Sequence, residues 1–288
     1  MSTTGHVAVV TDSTASLPAA LVEASGVVVV PLHVVVDGVD HREGIDLTTG
    51  QLVAALRAGS AVSTAQPGPD AFARVYARMV ARGAQEIVSV HLSAELSGTV
   101  AAARLAAASA GVPVHVVDSR TVGMALGLGV LAAAQRARRA RSGAEAAAAA
   151  QVAVERSGSA SVHFAVDTLE HLRRGGRLGP VAAALGTVLG LRPVLTVRGG
   201  RLDVVEKVRT SARARERLVE LAAADAARRG AYDLAVHHLA EPDLAARLVE
   251  RLRAACPPGL RDVHVAELSA VVGAHVGPGL AAVVVADA

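Results

Sequence analysis

The residues of this chain with reactive or ligand-holding chemistry fall in short polar segments. These are Asp12-Ser13-Thr14, Thr64 with Gln66-Pro67, Ser93, Ser97-Gly98-Thr99, Asp118-Ser119, Gly175-Gly176-Arg177 and His275-x-Gly277-Pro278-Gly279. Residues 90–99 are the most informative of them: they read as a strand end, a tight turn and a helix start. The first turn of a helix carries unpaired N–H groups and a partial positive charge. Hydroxyls beside such an end make a site for an anion, typically a phosphate or a carboxylate. Ser and Thr are also ordinary helix caps, so Ser97 and Thr99 by themselves fit either role.

Other chemistries need the same residue types in other arrangements. A serine hydrolase would use Ser97 as nucleophile and His275 as base, with Asp12 or Asp118 to orient the imidazole. The chain has no G-x-S-x-G elbow to support it. A nucleotide-binding domain would place G-x-G-x-x-G after the first strand or carry a Walker motif, and neither is present. The 11 histidines invite a metal reading. His237 and His238, however, are adjacent on a strand and point to opposite faces, and no HExxH or clustered Cys/His spacing occurs. No catalytic residue and no metal ligand is therefore assigned.

The elements that must position these residues alternate through the first half. Strands read at 6–10, 27–31, 86–92 and 114–117, and Asp37-Gly38 marks a hairpin turn. Thr48-x-x-Gln51 is a capping box that opens a helix to about residue 58. Residues 60–69 read as a loop. Residues 70–83 form an amphipathic helix with Phe72, Val75, Tyr76, Met79 and Val80 on one face. Further helices are expected at 99–110, 122–139 and 144–155. Gly123, Gly127 and Gly129 within the second of these imply close approach to a neighbour. Such alternation predicts a parallel sheet with right-handed crossovers. After Gly158-Ser159 the pattern changes to a strand at 162–166, helices at 168–174 and 181–189, and a hairpin of 193–198 and 201–208 around Gly199-Gly200. Two βα units and a last strand at 281–286 follow. The expected fold is α/β in two domains, 1–157 with a parallel sheet and a smaller 158–288 of α+β type with a mixed sheet.

Composition narrows the setting. Of 288 residues, 52% are hydrophobic and 19% charged, which is ample material for a core. With 2 Phe, 2 Tyr and no Trp, core volume must come from Ala, Val and Leu, side chains that pack closely or line a smooth tunnel. Net charge is +3, and Lys207 is the only lysine among 29 Lys+Arg residues. The run Arg136, Arg138, Arg139, Arg141 lies at a helix end, where cations are favoured. No aromatic residues interleave with it, as single-strand nucleic-acid binding would require. Cys256 stands alone, which fits a reducing compartment. The first ten residues lack the charged and apolar regions of a signal peptide. Residues 121–134 are too short and too rich in Gly and Ala for a membrane span. The expectation is a soluble cytoplasmic protein without nucleic-acid partner or membrane segment.

Taken in order and spacing, the motifs T-D-S-T-x-x-L-P from Thr11, Thr64-x-Gln66-Pro67, Leu96-Ser97-Gly98-Thr99, Leu169-x-x-Leu172-x-x-Gly175-Gly176-Arg177 and the closing His275-x-Gly277-Pro278-Gly279 resemble the DegV family of bacterial fatty-acid-binding proteins. The resemblance covers essentially the whole chain, as one DegV domain at 6–286. It implies a carrier, not an enzyme, that holds one long-chain fatty acid such as palmitate and needs no cofactor. The acyl chain would be buried and the carboxylate would lie at the domain interface. Thr64 and Ser97 would hold the carboxylate, with Ser93 in reserve, and Arg177 and His275 would lie near the head group and the partner-binding face. The partner implied is a separate fatty acid kinase that makes acyl phosphate. A hydrolase of lipid esters built on Ser97 and His275 is the alternative. The chain departs from the usual pattern at Ala65, Gly68, Ala94, Gly123, Ala274 and Val276, so fewer hydroxyls surround the site. Each buried CH₂ is worth about 0.8 kcal/mol, so an aliphatic cavity suffices for the chain, whereas a buried carboxylate needs donors.

Overall fold

The computed structural model describes residues 6–139, 144–178 and 191–288. In chain order, β1 (Val7–Asp12), a 3-10 turn (Ser13–Ala15), α1 (Ala19–Ser25) and β2 (Val28–Val30) come first. Next are β3 (His33–Val36), β4 (Val39–Arg42), α2 (Thr49–Ala58) and β5 (Val62–Ala65). Then follow α3 (Pro69–Ala81), β6 (Glu86–His91), α4 (Thr99–Ala107), β7 (Val114–Asp118), α5 (Met124–Ala137) and α6 (Ala144–Ser159). The last group is β8 (Ser161–Ala165), α7 (Glu170–Arg174), β9 (Arg192–Arg198), β10 (Arg201–Val208), α8 (Ser211–Ala226), β11 (Tyr232–His238), α9 (Pro242–Ala255), β12 (Leu260–Glu267), α10 (Ala270–Val276) and β13 (Ala281–Asp287).

These elements form two compact units, Met1–His33 with Ala65–Gly158, and Val34–Thr64 with Ser159–Ala288. The first unit carries a 4-stranded sheet in the order β2-β1-β6-β7, parallel throughout. Every residue of β1 is buried, as expected of an inner strand covered on both faces. One face packs Phe72, Tyr76 and Met79 of α3 and Ala102, Ala103 and Ala106 of α4. The other packs Leu126, Val130 and Ala133 of α5 with Ala149 and Ala153 of α6. The register pairs Thr11 with Val90 and His91 with Asp118, so the polar carboxyl ends of the strands share one edge. Open α/β sheets bind ligands at that edge.

The glycines of α5 pack as their spacing implied. A Cβ at Gly127 would meet the Ala15 carbonyl oxygen at 2.8 Å, and one at Gly129 would meet Ser157 Oγ at 2.1 Å. Gly123 differs from expectation: it precedes the helix, with φ of 68°, a backbone conformation that disfavours any side chain.

The second unit holds a 3-stranded sheet β4-β3-β5 and a 6-stranded sheet β10-β9-β8-β13-β11-β12. Within the larger sheet only β11 and β12 run parallel, so it is the mixed sheet expected of the C-terminal half. Its core packs Leu218 and Ala222 of α8 and Leu248 and Leu252 of α9 against Leu234, Val236 and Val283. Asp37 and Gly38 both have positive φ, 49° and 85°, the geometry of a two-residue hairpin turn between β3 and β4.

Several expectations are corrected. A single division at 157/158 does not describe the chain, because segment 34–64 belongs with the second unit and makes that unit the larger one. The reason is packing remote in sequence: a Cβ at Gly273 of α10 would lie 3.1 Å from Leu52 Cδ2 of α2. The expected loop at 60–69 contains strand β5, whose Ser-Thr-Ala composition hid it. Helix α10 around His275 has no counterpart among the expected elements, since its Gly273 interrupts the pattern. Arg141 of the basic run and the helix expected at 181–189 lie outside the described residues.

Candidate functional site

In the second unit Thr64 and His275 are brought together. Thr64, on β5, and His275, in the last turn of α10, form a hydrogen bond of 2.8 Å between Oγ1 and Nε2. The pair lines a cavity of about 230 Å³ with Ser60, Ser63, His171, Arg174 and Arg177. Burial, and secondarily the Arg177 guanidinium, push the His275 imidazole down to about 4. The ring is therefore neutral near pH 7. His171 is likewise lowered, by burial and by Arg174. Among the described residues that line the cavity there is no Asp or Glu. Arg174 pairs at 3.8 Å with the exposed Glu170, which is not among the described lining residues; guanidinium groups and hydroxyls around one cavity suit an anion with paired oxygens.

The motif glycines explain how these rings fit. A Cβ at Gly175 would lie 2.1 Å from His275 Nδ1, and one at Gly277 would lie 2.3 Å from His171 Cδ2. The two motifs interlock: each gives up a side chain so that the other's imidazole can lie on its backbone. Gly277 and Gly279 also have φ of 77° and 82°. Arg177 turns back to donate from Nη1 to the Gly175 carbonyl oxygen.

Ser93 and Ser97 lie in the first unit, on the turn between β6 and α4. Ser93 is fully buried, and its Oγ accepts from Glu95 N–H at 3.2 Å. Ser97 is half-buried, with its Oγ 2.9 Å from Thr99 Oγ1 and 3.4 Å from Thr99 N. Ser93 is thus committed to the turn, and Ser97 is the more accessible hydroxyl. The helix cap itself is Gly98, without a side-chain bond, where a Cβ would lie 2.2 Å from Gln66 Oε1. For the hydrolase alternative, the observed partner of Ser97 Oγ is Thr99 and that of His275 Nε2 is Thr64, each within its own unit.

The sequence reading missed a buried chain of side chains under this turn. His91 Nδ1 is 2.9 Å from Asp12 Oδ2, its Nε2 is 2.7 Å from Ser89 Oγ, and Ser89 Oγ is 2.9 Å from Tyr76 OH. Asp12 also accepts from Leu92 N at 3.1 Å and from Thr14 N at 3.0 Å. All of these side chains are fully buried, and burial raises the Tyr76 phenol to about 12. The residue types are those of a nucleophilic triad, but solvent and substrate have no access. The available signal was the period of a strand: Ser89 and His91 are two apart and share a face. Among the described residues, no group of His, Cys, Asp and Glu is placed to hold a metal ion. No described helix is long and apolar enough to cross a membrane.

A parallel-sheet unit and a mixed-sheet unit, each carrying part of this motif set, define the DegV class. The DegV family model matches residues 6–288, and the chain belongs to that family. A DegV domain-containing protein of Streptomyces coelicolor is 50% identical over 282 residues, 98% of this chain and 99% of that one. Another, from Deinococcus radiodurans, is 40% identical over 279 residues, 95% of each. Among solved structures, a fatty-acid-binding DegV family protein from Thermus thermophilus is 35% identical, with a TM-score of 0.88 over 98% of this chain and 100% of that one. DegV from Bacillus subtilis, described as a fatty acid binding protein, is 29% identical, with a TM-score of 0.89 over 99% and 100%.

Proposed function

We propose that this protein is a non-enzymatic carrier of a long-chain fatty acid. The acyl chain is buried among aliphatic side chains, and Thr64 and Ser97 are the hydroxyls that hold the carboxylate. Arg177 and His275 face the head group. The observation that carries this reading is the Thr64–His275 pair in a cavity whose described lining holds arginines and hydroxyls and no carboxylate. Ser97 is the preferred hydroxyl of its turn because it is only half-buried. Ser93 stays in reserve because its hydroxyl is buried in the turn. The fatty-acid-binding relatives supply the ligand class by likeness.

The carrier presents its ligand in the cytoplasm to a separate fatty acid kinase, which forms the acyl phosphate. Arg177 suits the phosphoryl oxygens because a guanidinium matches phosphate bidentately. A neutral His275 serves as hydrogen-bond partner and adds no charge.

Native mass spectrometry of the purified protein, followed by lipid extraction, tests the ligand. A bound mass equal to a fatty acid is expected; a protein that stays empty after incubation with several fatty acids sinks the reading. Thr64→Ala with Ser97→Ala should weaken palmitate binding by roughly 2–4 kcal/mol if both hydroxyls bond a buried carboxylate. For the kinase step, Arg177→Ala and His275→Ala should each lower acyl phosphate formation with the cognate kinase. Undiminished formation would remove them from that role. Turnover of a lipid ester that Ser97→Ala abolishes would favour the hydrolase instead.

A further inference from the structure

Helix α10, which presents His275, is only 7 residues long. A helix of that length is not stable by its own hydrogen bonds, so its position must be set from outside. Segment 34–64 touches it at both ends and in the middle. At the far end Thr64 bonds His275, and in the middle Leu52 packs on Gly273. At the start stands Glu43, a buried carboxylate with no part in the cavity lining. Its Oε2 accepts from Ser269 Oγ at 2.9 Å, and its Oε1 faces Val271 N at 3.4 Å. Ser269 Oγ in turn accepts from Val272 N, so the cap and the carboxylate are linked through one hydroxyl. A negative group at a helix start is favoured by the helix dipole.

The loop that holds Glu43 is itself braced. Arg42 Nε and Nη2 donate to Asp46 at 2.8 and 3.1 Å, and Gly44 N donates to the Leu47 carbonyl at 3.2 Å. Val271 and His275 are four residues apart, one helical turn along the same face. A displacement at the start of α10 therefore passes directly to the imidazole.

We infer that Glu43 is a positioning residue of the binding pocket: it fixes the start of α10 so that His275 meets Thr64 and the head group. The link to ligand affinity rests on the fatty-acid reading above; the link to His275 does not. Glu43→Ala and Glu43→Gln separate the two. Glu43→Gln keeps the shape but leaves only one acceptor oxygen for the two donors, Ser269 Oγ and Val271 N. His275 is followed by NMR titration, palmitate affinity by calorimetry and folding by thermal melting.

Glu43→Ala should move the His275 titration up from about 4 toward the ordinary value of about 6.5, as the ring leaves its buried seat. It should also weaken palmitate about tenfold, with Glu43→Gln in between. Unchanged titration in variants that fold overturns the inference, whether or not the affinity falls, because the effect would then not pass through His275. If Glu43→Ala fails to fold, Glu43→Gln decides by the same readout. If the parent protein binds no palmitate, the fatty-acid reading fails, and the titration still decides the role of Glu43.

Discussion

His91 in the first unit and His275 in the second each meet a hydroxyl, Ser89 Oγ at 2.7 Å and Thr64 Oγ1 at 2.8 Å. Their other surroundings differ in charge and access. The second ring nitrogen of His91 meets the Asp12 carboxylate, and Phe72 lies edge-on at 5.0 Å between ring centroids. Every member of that cluster is sealed from solvent. His275 instead rests on the backbone of Gly175, has the Arg177 guanidinium nearby, and lines a cavity. One histidine meets a carboxylate inside its own unit; the other lines a cavity together with hydroxyls and arginines. A satisfied buried network rigidifies a scaffold, whereas a site for an anion needs donors that a ligand can reach.

Substitutions in the two units test this contrast. Asp12→Ala removes the acceptor of Thr14, His91 and the Leu92 backbone, so urea unfolding should show a loss of about 3–5 kcal/mol. A loss under about 1 kcal/mol would mean the buried cluster is not a scaffold.

The next effect is on pH dependence. Imidazoles of the unfolded chain protonate near 6.5, whereas those of His275 and His237 resist until about 4. The unfolded state thus binds more protons in that window. Stability from these rings is complete above about 6.5 and is lost as pH falls toward 4. His275 contributes about 3 kcal/mol by its shift. His275→Gln should flatten that part of the stability–pH curve, and an unaltered slope would show that the ring is not buried as a neutral group.

Gly175→Ala comes third, because its Cβ would collide with the imidazole of His275. Overpacking of this kind costs about 1–3 kcal/mol, and the displaced ring should also lose palmitate affinity. If affinity is retained, the seat of His275 is not what the ligand needs. Ser97→Ala is the smallest in stability, about 0.5–1 kcal/mol from its turn bond to Thr99. It should nevertheless weaken palmitate more than Ser93→Ala does; the reverse order would make Ser93 the head-group contact.

Much of this architecture is legible along the chain. Strand β6, the helix with Phe72 and Tyr76 inward, and the hairpin at Gly199-Gly200 all follow from local pattern and turn chemistry. The elements that escape such a reading lack that pattern. Strand β5 is four small residues, and α10 is broken by Gly273. Both sit at the candidate site, where ligand-facing residues replace the bulky apolar ones that signal an element. The assignment of 34–64 to the second unit was not legible either, because it rests on Leu52 against Gly273, more than two hundred positions away.

What the sequence determined by itself is the inventory: hydroxyls at Thr64 and Ser97, a guanidinium at Arg177, an imidazole at His275, and glycines placed among them. Side-chain type and local backbone preference are properties of a few neighbouring residues, so they can be read in order along the chain. Only the tertiary structure decided which of these groups meet. It set His275 on Gly175 and His171 on Gly277, sealed His91 between Asp12 and Ser89, and brought Glu43 to the start of the His275 helix. Those contacts depend on strand register and helix packing across the whole fold, and no stretch of sequence contains them.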